Sequence, residues 1–185
     1  MSRRFALFAS AVGHCGIAWG DDGIVGVSLP EGNEAATRAR MRRRFAPATE
    51  APPPPQVQEA IDGIVALLRG EASDLSGIRL DVREVAPFQR RVYEVARTIP
   101  PGATMSYGEI ANQLGDPGAA RSVGHALGTN PFTIVVPCHR VLAAGGKMGG
   151  FSAYGGVDTK VRLLAIEGAL SNAPGLFDDQ ESMSR

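Results

Sequence analysis

Two short helix-forming segments lie between residues 106 and 128, and a Gly-Asp-Pro turn separates them. Ser106 followed by Glu109 is a capping box, which predicts the start of the first helix. In the turn, Asp116 and Pro117 supply an N-cap and a first-turn proline for the second helix. Two helices joined by so brief a turn predict a helix-turn-helix, so this feature constrains the fold of the second half most strongly.

The N-terminal half alternates extended and helical patterns. Apolar runs on both sides of a Gly-Asp-Asp-Gly turn at residues 20–23 predict a β-hairpin. Residues 33–45 favour a helix, a stiff proline run follows at 52–55, and residues 57–68 have apolar side chains at helical spacing. Residues 78–82 predict a third strand. We therefore expect an α/β domain with a small antiparallel sheet.

Two features of this half have a second interpretation. Arg3 and Arg4 precede an apolar stretch, a pattern also typical of a short signal peptide, although the stretch continues directly into the predicted hairpin. The arginines concentrated in residues 38–44 could contact phosphate. Cations are favoured at a helix C-terminus, however, and we prefer that interpretation.

Composition is that of an ordinary globular protein. Of 185 residues, 44% are apolar, and 19 basic side chains balance 19 acidic ones, which excludes a disordered chain and argues against a protein that coats nucleic acid by bulk charge. No apolar run approaches the roughly 18 to 20 residues of a membrane span. Because Cys15 and Cys138 are the only cysteines, we expect a reduced, cytoplasmic setting and no Cys-rich zinc site.

Changes in pattern along the chain predict three parts. Residues 1–84 form the α/β domain, and residues 85–170 form a mainly helical domain that contains the helix-turn-helix. Residues 171–185 form a polar tail. The glycine-rich segment at 145–150 lacks the spacing of a phosphate-binding loop, so no nucleotide cofactor is implied.

A local positive charge is predicted in the second half. Between Asp116 and Asp158 there is no acidic residue, whereas Arg121, Arg140 and Lys147 are all basic. Arg121 lies opposite the apolar face of the second predicted helix. From the residues alone, a phosphate-facing surface and an ordinary solvated surface are equally acceptable interpretations.

Cys138 is the first candidate for chemistry. Residues 134–136 predict a buried extended run, and Pro137 should break it and present Cys138 at a turn beside His139. Adjacency to histidine is not sufficient, since Cys15 has the same neighbour inside a predicted strand. A buried cysteine is more often an inert small hydrophobic residue.

A catalytic cysteine also needs a base and a group that orients the base. Glu167 is a candidate for the orienting group, because it lies on an apolar face near the end of a predicted helix. A carboxylate there opposes the helix dipole unless a partner compensates it, and His139 is the candidate partner. A glutamate at the surface rim is the alternative.

Several motifs together resemble those of the O6-alkylguanine-DNA alkyltransferases, the methylated-DNA–protein-cysteine methyltransferase family. The resemblance is strongest over residues 87–169. The matching runs are Pro-Cys-His-Arg-Val at 137–141, Asn-Pro at 130–131, Ser-Tyr-Gly-Glu-Ile-Ala at 106–111, Ala-Arg-Ser-Val-Gly at 120–124 and Leu-Leu-Ala-Ile-Glu-Gly at 163–168.

The resemblance implies a winged helix-turn-helix domain and direct reversal of DNA damage. The alkyl group of O6-alkylguanine in double-stranded DNA, with O4-alkylthymine as a second candidate lesion, would pass irreversibly to Cys138, once per protein molecule. It also implies a monomer without cofactor. The zinc site of some members cannot be assembled from His14, Cys15 and one further cysteine, so we expect no metal.

The resemblance assigns the catalytic roles as follows. Glu167 orients His139, which deprotonates Cys138 through a water molecule. Tyr107 protonates or hydrogen-bonds the departing purine and presses on the neighbouring phosphate. The main-chain carbonyl groups of Cys138 and Val141 are expected to read the exocyclic amine of the base.

The resemblance also assigns residues to DNA and substrate binding. Arg121 enters the base stack in place of the extruded base, and Gly124 belongs to the same recognition helix, which lies in the minor groove. Asn130 braces the turn that joins this helix to the active site. The candidates for the wall of the alkyl pocket lie in a long loop and are Phe151, Ser152 and Tyr154.

Two rival functions remain. One is a helix-turn-helix protein that binds alkylated DNA or regulates transcription without chemistry, and the other is a Cys-His hydrolase. A hydrolase would have no need of a recognition helix.

Overall fold

The structure is a computed structural model, and it describes residues 2–172. The first part of this range comprises, in order, β1 (Arg3–Ser10), β2 (Gly13–Gly20), β3 (Gly23–Ser28), α1 (Glu34–Arg44), β4 (Ala48–Glu50) and α2 (Pro55–Leu68). The second comprises α3 (Pro87–Arg97), β5 (Met105–Ser106), α4 (Tyr107–Gln113), α5 (Ala120–Gly128), β6 (Val141–Leu142) and α6 (Gly156–Ile166). Most of the predicted polar tail lies outside the described residues. Within them, no helix is both long and apolar enough to cross a membrane.

Strands β1 to β4 form one mixed sheet in the order β3-β2-β1-β4. The predicted hairpin is present as the antiparallel pair β2 and β3. The stretch also typical of a signal peptide is β1, an inner strand. The expectation of a purely antiparallel sheet is wrong at one edge, where β4 runs parallel to β1. The helix α1 connects β3 to β4 and carries the chain back along the sheet, so β4 can pair in parallel with β1.

Residues 78–82 do not form the predicted third strand. Leu80 makes a single parallel bridge with Ile24. Immediately afterwards, the carboxylate of Asp81 accepts a hydrogen bond of 3.2 Å from the backbone N–H of Arg83. This local side-chain turn competes with further pairing and ends it after one bridge.

The two N-terminal helices cover opposite faces of the sheet. Successive side chains of a strand point to opposite faces, and β1 follows this rule. Phe5 packs with Met41 and Phe45 at the end of α1, whereas Phe8 joins the larger core that contains the apolar stripe of α2. Asn33 caps the first turn of α1 with its side chain, so the predicted helix is confirmed.

Helices α3, α4 and α5 pack around a second apolar core. Its fully buried members include Val92, Ala96, Ile110, Ala111 and Val123. Because each helix contributes one face to this core, the opposite face of α5 is left to solvent, and Arg121 and His125 are exposed on it.

The predicted capping box is confirmed, but the start of the next helix differs from the prediction. Glu109 N–H donates to Ser106 Oγ at 3.1 Å, and Ser106 N–H donates to Glu109 Oε2 at 2.6 Å. Asp116 makes no capping hydrogen bond, because its ψ of 83° departs from the ψ of 161° that Ser106 adopts as an N-cap. Pro117 therefore opens a single 3-10 turn, and α5 begins at Ala120.

The apolar run at 134–136 is buried, yet it is not extended. Ile134 begins a turn with φ of 76°, a conformation that β-branched residues rarely adopt. Val136 N–H closes the turn by donating to the carbonyl group of Phe132 at 2.8 Å. The predicted extended run is wrong, because a short apolar run does not by itself distinguish a strand from another buried conformation.

A two-residue parallel pairing of β5 with β6 connects the helices to this turn. Met105 pairs with Val141, and Ser106 pairs with Leu142. Because α4 begins directly after Ser106, the pairing places the first turn of α4 beside the segment that contains Cys138.

Candidate active site

Cys138 opens a single 3-10 turn, Cys138–Arg140, directly after Pro137. The turn is fixed at both ends, since Cys138 N–H donates to Val136 at 2.8 Å and Arg140 N–H donates to Pro137 at 2.9 Å. The predicted turn at Cys138 is therefore confirmed. The cysteine is partly buried and is not in a disulfide.

The side chain of Asn130 holds the loop before the turn. Its Nδ2 donates to the carbonyl group of Val136 at 3.0 Å, and its Oδ1 accepts from Phe132 N–H at 2.8 Å. Asn130 also lies close enough to Cys138 to lower the pKa of its thiol, although burial raises it more. One buried amide thus ties the end of α5 to the candidate nucleophile.

Glu167 is the buried partner of His139. The two atoms His139 Nε2 and Glu167 Oε1 are 2.8 Å apart, and the side chains are 1% and 3% exposed. Burial by itself would raise the pKa of Glu167, but hydrogen bonds from His139 and Arg140 lower it to about 2. The alternative of a glutamate at the surface rim is wrong.

Arg140 completes this buried group, and its position corrects the predicted basic patch. Its Nε donates to Glu167 Oε2 at 2.9 Å, its Nη2 donates to Oε1 at 2.7 Å, and its Nη1 donates to the carbonyl group of Ile99 at 2.6 Å. A bidentate pair of this kind is strong and directional. Arg140 therefore does not belong to an exposed surface with Arg121 and Lys147.

The carboxylate determines which nitrogen of His139 carries the proton. An ionised Glu167 can only accept, so His139 Nε2 donates to it. Burial lowers the pKa of His139, which favours the neutral ring. The second nitrogen, Nδ1, is then a free base, and it is buried without a hydrogen-bond partner among residues 2–172.

The thiol itself is not ionised by its surroundings alone. Burial raises the pKa of Cys138, and this effect exceeds the lowering by Asn130, by Lys160 and by the backbone N–H groups of Cys138 and His139. A thiol with a raised pKa needs a base to become a nucleophile.

Lys160 is a buried cation that the sequence analysis missed. It is 0% exposed, and its Nζ donates to the carbonyl groups of Val141 and Met148 at 2.6 Å each. Burial lowers its pKa to about 8, and the nearby Cys138 opposes that shift. Its signal in the sequence is helical spacing, since Lys160 precedes Leu163 and Leu164 on one apolar face of α6.

A pocket of about 510 Å³ lies between α5 and the candidate nucleophile. It brings six of the candidate residues together in one lining, namely Tyr107, Arg121, Gly124, Cys138, Phe151 and Ser152. Burial raises the pKa of Tyr107, so its hydroxyl remains protonated and can donate a hydrogen bond. Val141 and Tyr154 do not line this pocket: Val141 is fully buried beside it, and Tyr154 is 59% exposed on the outer part of the loop.

The second Cys-His pair has none of these features. Cys15 is fully buried in strand β2, where burial raises the pKa of its thiol to about 11. His14 lies on the surface, with Nε2 3.5 Å from Glu34 Oε2. Cys15 is therefore a structural residue, as its position in a predicted strand indicated.

This chain is similar to known proteins of one family. Residues 87–169 match the family model described as 6-O-methylguanine DNA methyltransferase, DNA binding domain. A methylated-DNA–protein-cysteine methyltransferase of Mycolicibacterium paratuberculosis is 52% identical over 120 residues, 64% of this chain and 70% of that protein. Its counterpart in Methanothermobacter thermautotrophicus is 37% identical over 153 residues, 83% and 78% of the two chains. The crystal structure of Mycobacterium tuberculosis OGT in complex with DNA superposes with a TM-score of 0.73 at 36% identity, covering 93% of this chain and 96% of that chain.

Proposed function

This chain belongs to the methylated-DNA–protein-cysteine methyltransferase family, and from that premise we propose that it transfers the alkyl group of O6-alkylguanine in duplex DNA to Cys138, once per molecule. One observation carries the proposal. Cys138 lines the pocket that also borders Arg121, and the next residue of the chain, His139, is buried and paired with Glu167. We therefore assign the nucleophile to Cys138, the base to its neighbour His139 and the space for the extruded base to the pocket.

The first step is formation of the thiolate. Glu167 holds the Nε2–H of His139, which leaves Nδ1 as the acceptor for the thiol proton, passed through a water molecule. Lys160 lies close enough to stabilise the thiolate charge. General-base assistance of this kind contributes typically about 10²- to 10⁴-fold in rate.

The second step is an in-line displacement at the alkyl carbon. The Cys138 sulfur forms a bond to that carbon while the bond from carbon to O6 breaks, and the purine takes the electron pair. The hydroxyl of Tyr107 donates a hydrogen bond or a proton to the departing base. The carbonyl oxygens of Cys138 and Val141 accept hydrogen bonds from its exocyclic amine. Lys160 already donates to the carbonyl oxygen of Val141, but that oxygen has a second lone pair that can accept from the amine.

Access to O6 requires that the nucleotide leave the duplex. A paired base is out of reach, and a damaged pair costs less to open. We assign α4 and α5 to a winged helix-turn-helix whose second helix enters the minor groove. The exposed Arg121 fills the gap in the stack, and Gly124 permits close approach of the base beside Tyr107.

We place the boundary between two domains near residue 85, where the sequence pattern changes. Residues 1–84 form the N-terminal domain and residues 85–170 the DNA-binding and transfer domain of a protein that acts as a monomer. A thioether is a poor leaving group, so the alkylated sulfur is not regenerated. The reaction needs a reduced thiol, which fits the cytoplasm.

Two rival functions are distinguished by the fate of the alkyl group. Duplex DNA with O6-methylguanine labelled in the methyl group is incubated with excess protein, and a parallel duplex contains O4-methylthymine. We expect the label on the Cys138 peptide. Release of the label as methanol with multiple turnovers would establish a hydrolase, and binding without loss of the label from DNA would establish a damage sensor.

A further inference from the structure

A second, narrower cavity borders Cys138 on the side of the N-terminal part. Residues from the loop before α1, from α1 itself and from the long loop at 149–156 line it. Cys138, Phe151 and Ser152 belong to both this cavity and the larger pocket, so the two spaces adjoin at Cys138. The cavity as it stands has room for about one water molecule.

The charged side chains in the lining carry an excess of positive charge. Arg40 and Arg44 of α1 contribute two cations, and Glu31 contributes one carboxylate. Glu31 pairs with Nη1 of Arg40, at 2.5 Å. Both arginines line the same narrow cavity, and burial together with the neighbouring Arg40 lowers the pKa of Arg44.

One donor in this group is unused. The Nε–H of Arg40 is buried and has no hydrogen-bond partner among residues 2–172. Arg44, by contrast, donates through Nη2 to the carbonyl group of Asn130 at 3.0 Å. A buried guanidinium donor without a partner is unfavourable, and an anionic acceptor would relieve that cost.

The stereochemistry of the reaction directs a substituent away from the axis of displacement. In-line displacement places the sulfur, the reacting carbon and O6 on one axis, with the base in the larger pocket. Any further group on the reacting carbon must extend sideways from that axis. The narrow cavity is a space at Cys138 that the base does not fill.

We propose that the narrow cavity receives the O6 substituent and that Arg40 makes it selective for small substituents ending in a carboxylate. The inference rests on the proposed function and names its substrate class. The Cys138 thiolate displaces guanine from the CH2 carbon, the purine leaves with the electron pair and a proton, and the carboxylate stays ionised beside Arg40. The cavity must widen to receive the substituent, and Tyr154, which lines it and is 59% exposed, has solvent on its outer side into which it can move.

The test compares two duplex substrates of nearly equal shape, O6-carboxymethylguanine and its uncharged amide, O6-carbamoylmethylguanine. The quantity measured is the ratio of their transfer rate constants, which cancels effects on folding and DNA binding. We expect Arg40→Gln to lower the ratio about tenfold, the value of a charge-assisted hydrogen bond. Arg43→Gln removes the same charge from an exposed position of α1 and should leave the ratio unchanged.

A second variant changes the ratio in the opposite direction. Glu31→Gln removes the carboxylate that competes with the substrate for Arg40, so the ratio should rise. If Arg40→Gln does not fold, this variant alone tests the inference. An unchanged ratio in both variants overturns the inference. Methyl transfer from O6-methylguanine is measured with the same preparations, because its absence in the unmodified protein would refute the proposed function itself.

Discussion

Lys160 Nζ lies 2.6 Å from the carbonyl oxygen of Val141, and the lysine side chain is fully buried. This contact attaches α6 to β6 directly behind the candidate nucleophile. It also holds Met148, at the start of the long loop, through a second hydrogen bond of 2.6 Å. The cation thus positions the carbonyl group to which we assign recognition of the base.

Lys160→Met should change how stability depends on pH. Burial lowers the pKa of Lys160 from 10.5 to about 8, so between these values the unfolded chain binds more protons than the folded one. The free energy of unfolding contributed by this residue therefore rises from pH 8 to pH 10.5, by about 1–3 kcal/mol. Denaturant titrations of both proteins at several pH values give the difference in their free energies of unfolding. A difference that does not change with pH would contradict a buried Lys160 with a lowered pKa.

Glu167→Gln should slow transfer while leaving DNA binding intact. The amide cannot hold His139 as an ionised acceptor does, so we expect a loss of about 10²-fold in the single-turnover rate, within the range of general-base effects. Glu94→Gln, at an exposed position of α3, is the matched control. Equal rates for the two variants would remove Glu167 from the mechanism.

The lowered pKa of Glu167 also predicts a loss of stability in acid. Its pKa is lowered to about 2 from 4.5, so its contribution is fully present above pH 4.5 and is lost as pH falls through 2. The difference in free energy of unfolding between the unmodified protein and Glu167→Gln should therefore shrink by about 3 kcal/mol as pH falls from 4.5 to 2. Parallel curves from pH 6 to pH 2 would show that the pair does not stabilise the fold.

Asn130→Ala should destabilise the loop that carries Cys138. It removes the amide that bonds Val136 and Phe132, leaving buried backbone groups unpaired at a cost of about 1–3 kcal/mol. Asn112→Ala, on the exposed side of α4, should cost much less. The comparison is made by chemical denaturation, and a cost no larger than that of the control would exclude the proposed brace.

Arg121→Ala should affect duplex substrates selectively. It removes the side chain that fills the base stack and leaves the thiolate untouched, so transfer from duplex DNA should fall more than transfer from the free O6-methylguanine base. Arg69→Ala, at an exposed position that does not line the pocket, is the control. A loss of equal size with both substrates would place Arg121 in the chemistry rather than in base extrusion.

Local signals in the sequence predicted the elements that local contacts stabilise. The capping box at Ser106 and Glu109, the helix predicted over residues 33–45 and the turn at residues 20–23 all depend on contacts within a few residues. The motifs around Cys138 were also sufficient to identify the family, because they are contiguous. Such patterns can be read without knowledge of the tertiary fold.

The errors occurred where distant residues determine the conformation. Asn130 and the buried surroundings impose a turn with positive φ on Ile134, although its sequence neighbours favour an extended run. Arg140 is internal because Glu167, 27 positions later, folds back onto it. Counting charges along the chain therefore overstated the exposed basic surface.

The central claim is a single irreversible transfer to one sulfur, and titration with excess substrate tests it most directly. Increasing amounts of duplex DNA with labelled O6-methylguanine are added to a fixed amount of protein, and protein-bound label is measured after proteolysis. The account predicts a plateau at about one equivalent, located on the Cys138 peptide, abolished by Cys138→Ala and retained by Cys15→Ala. Continued consumption of substrate beyond one equivalent, or loss of transfer in a folded Cys15→Ala variant alone, would contradict it.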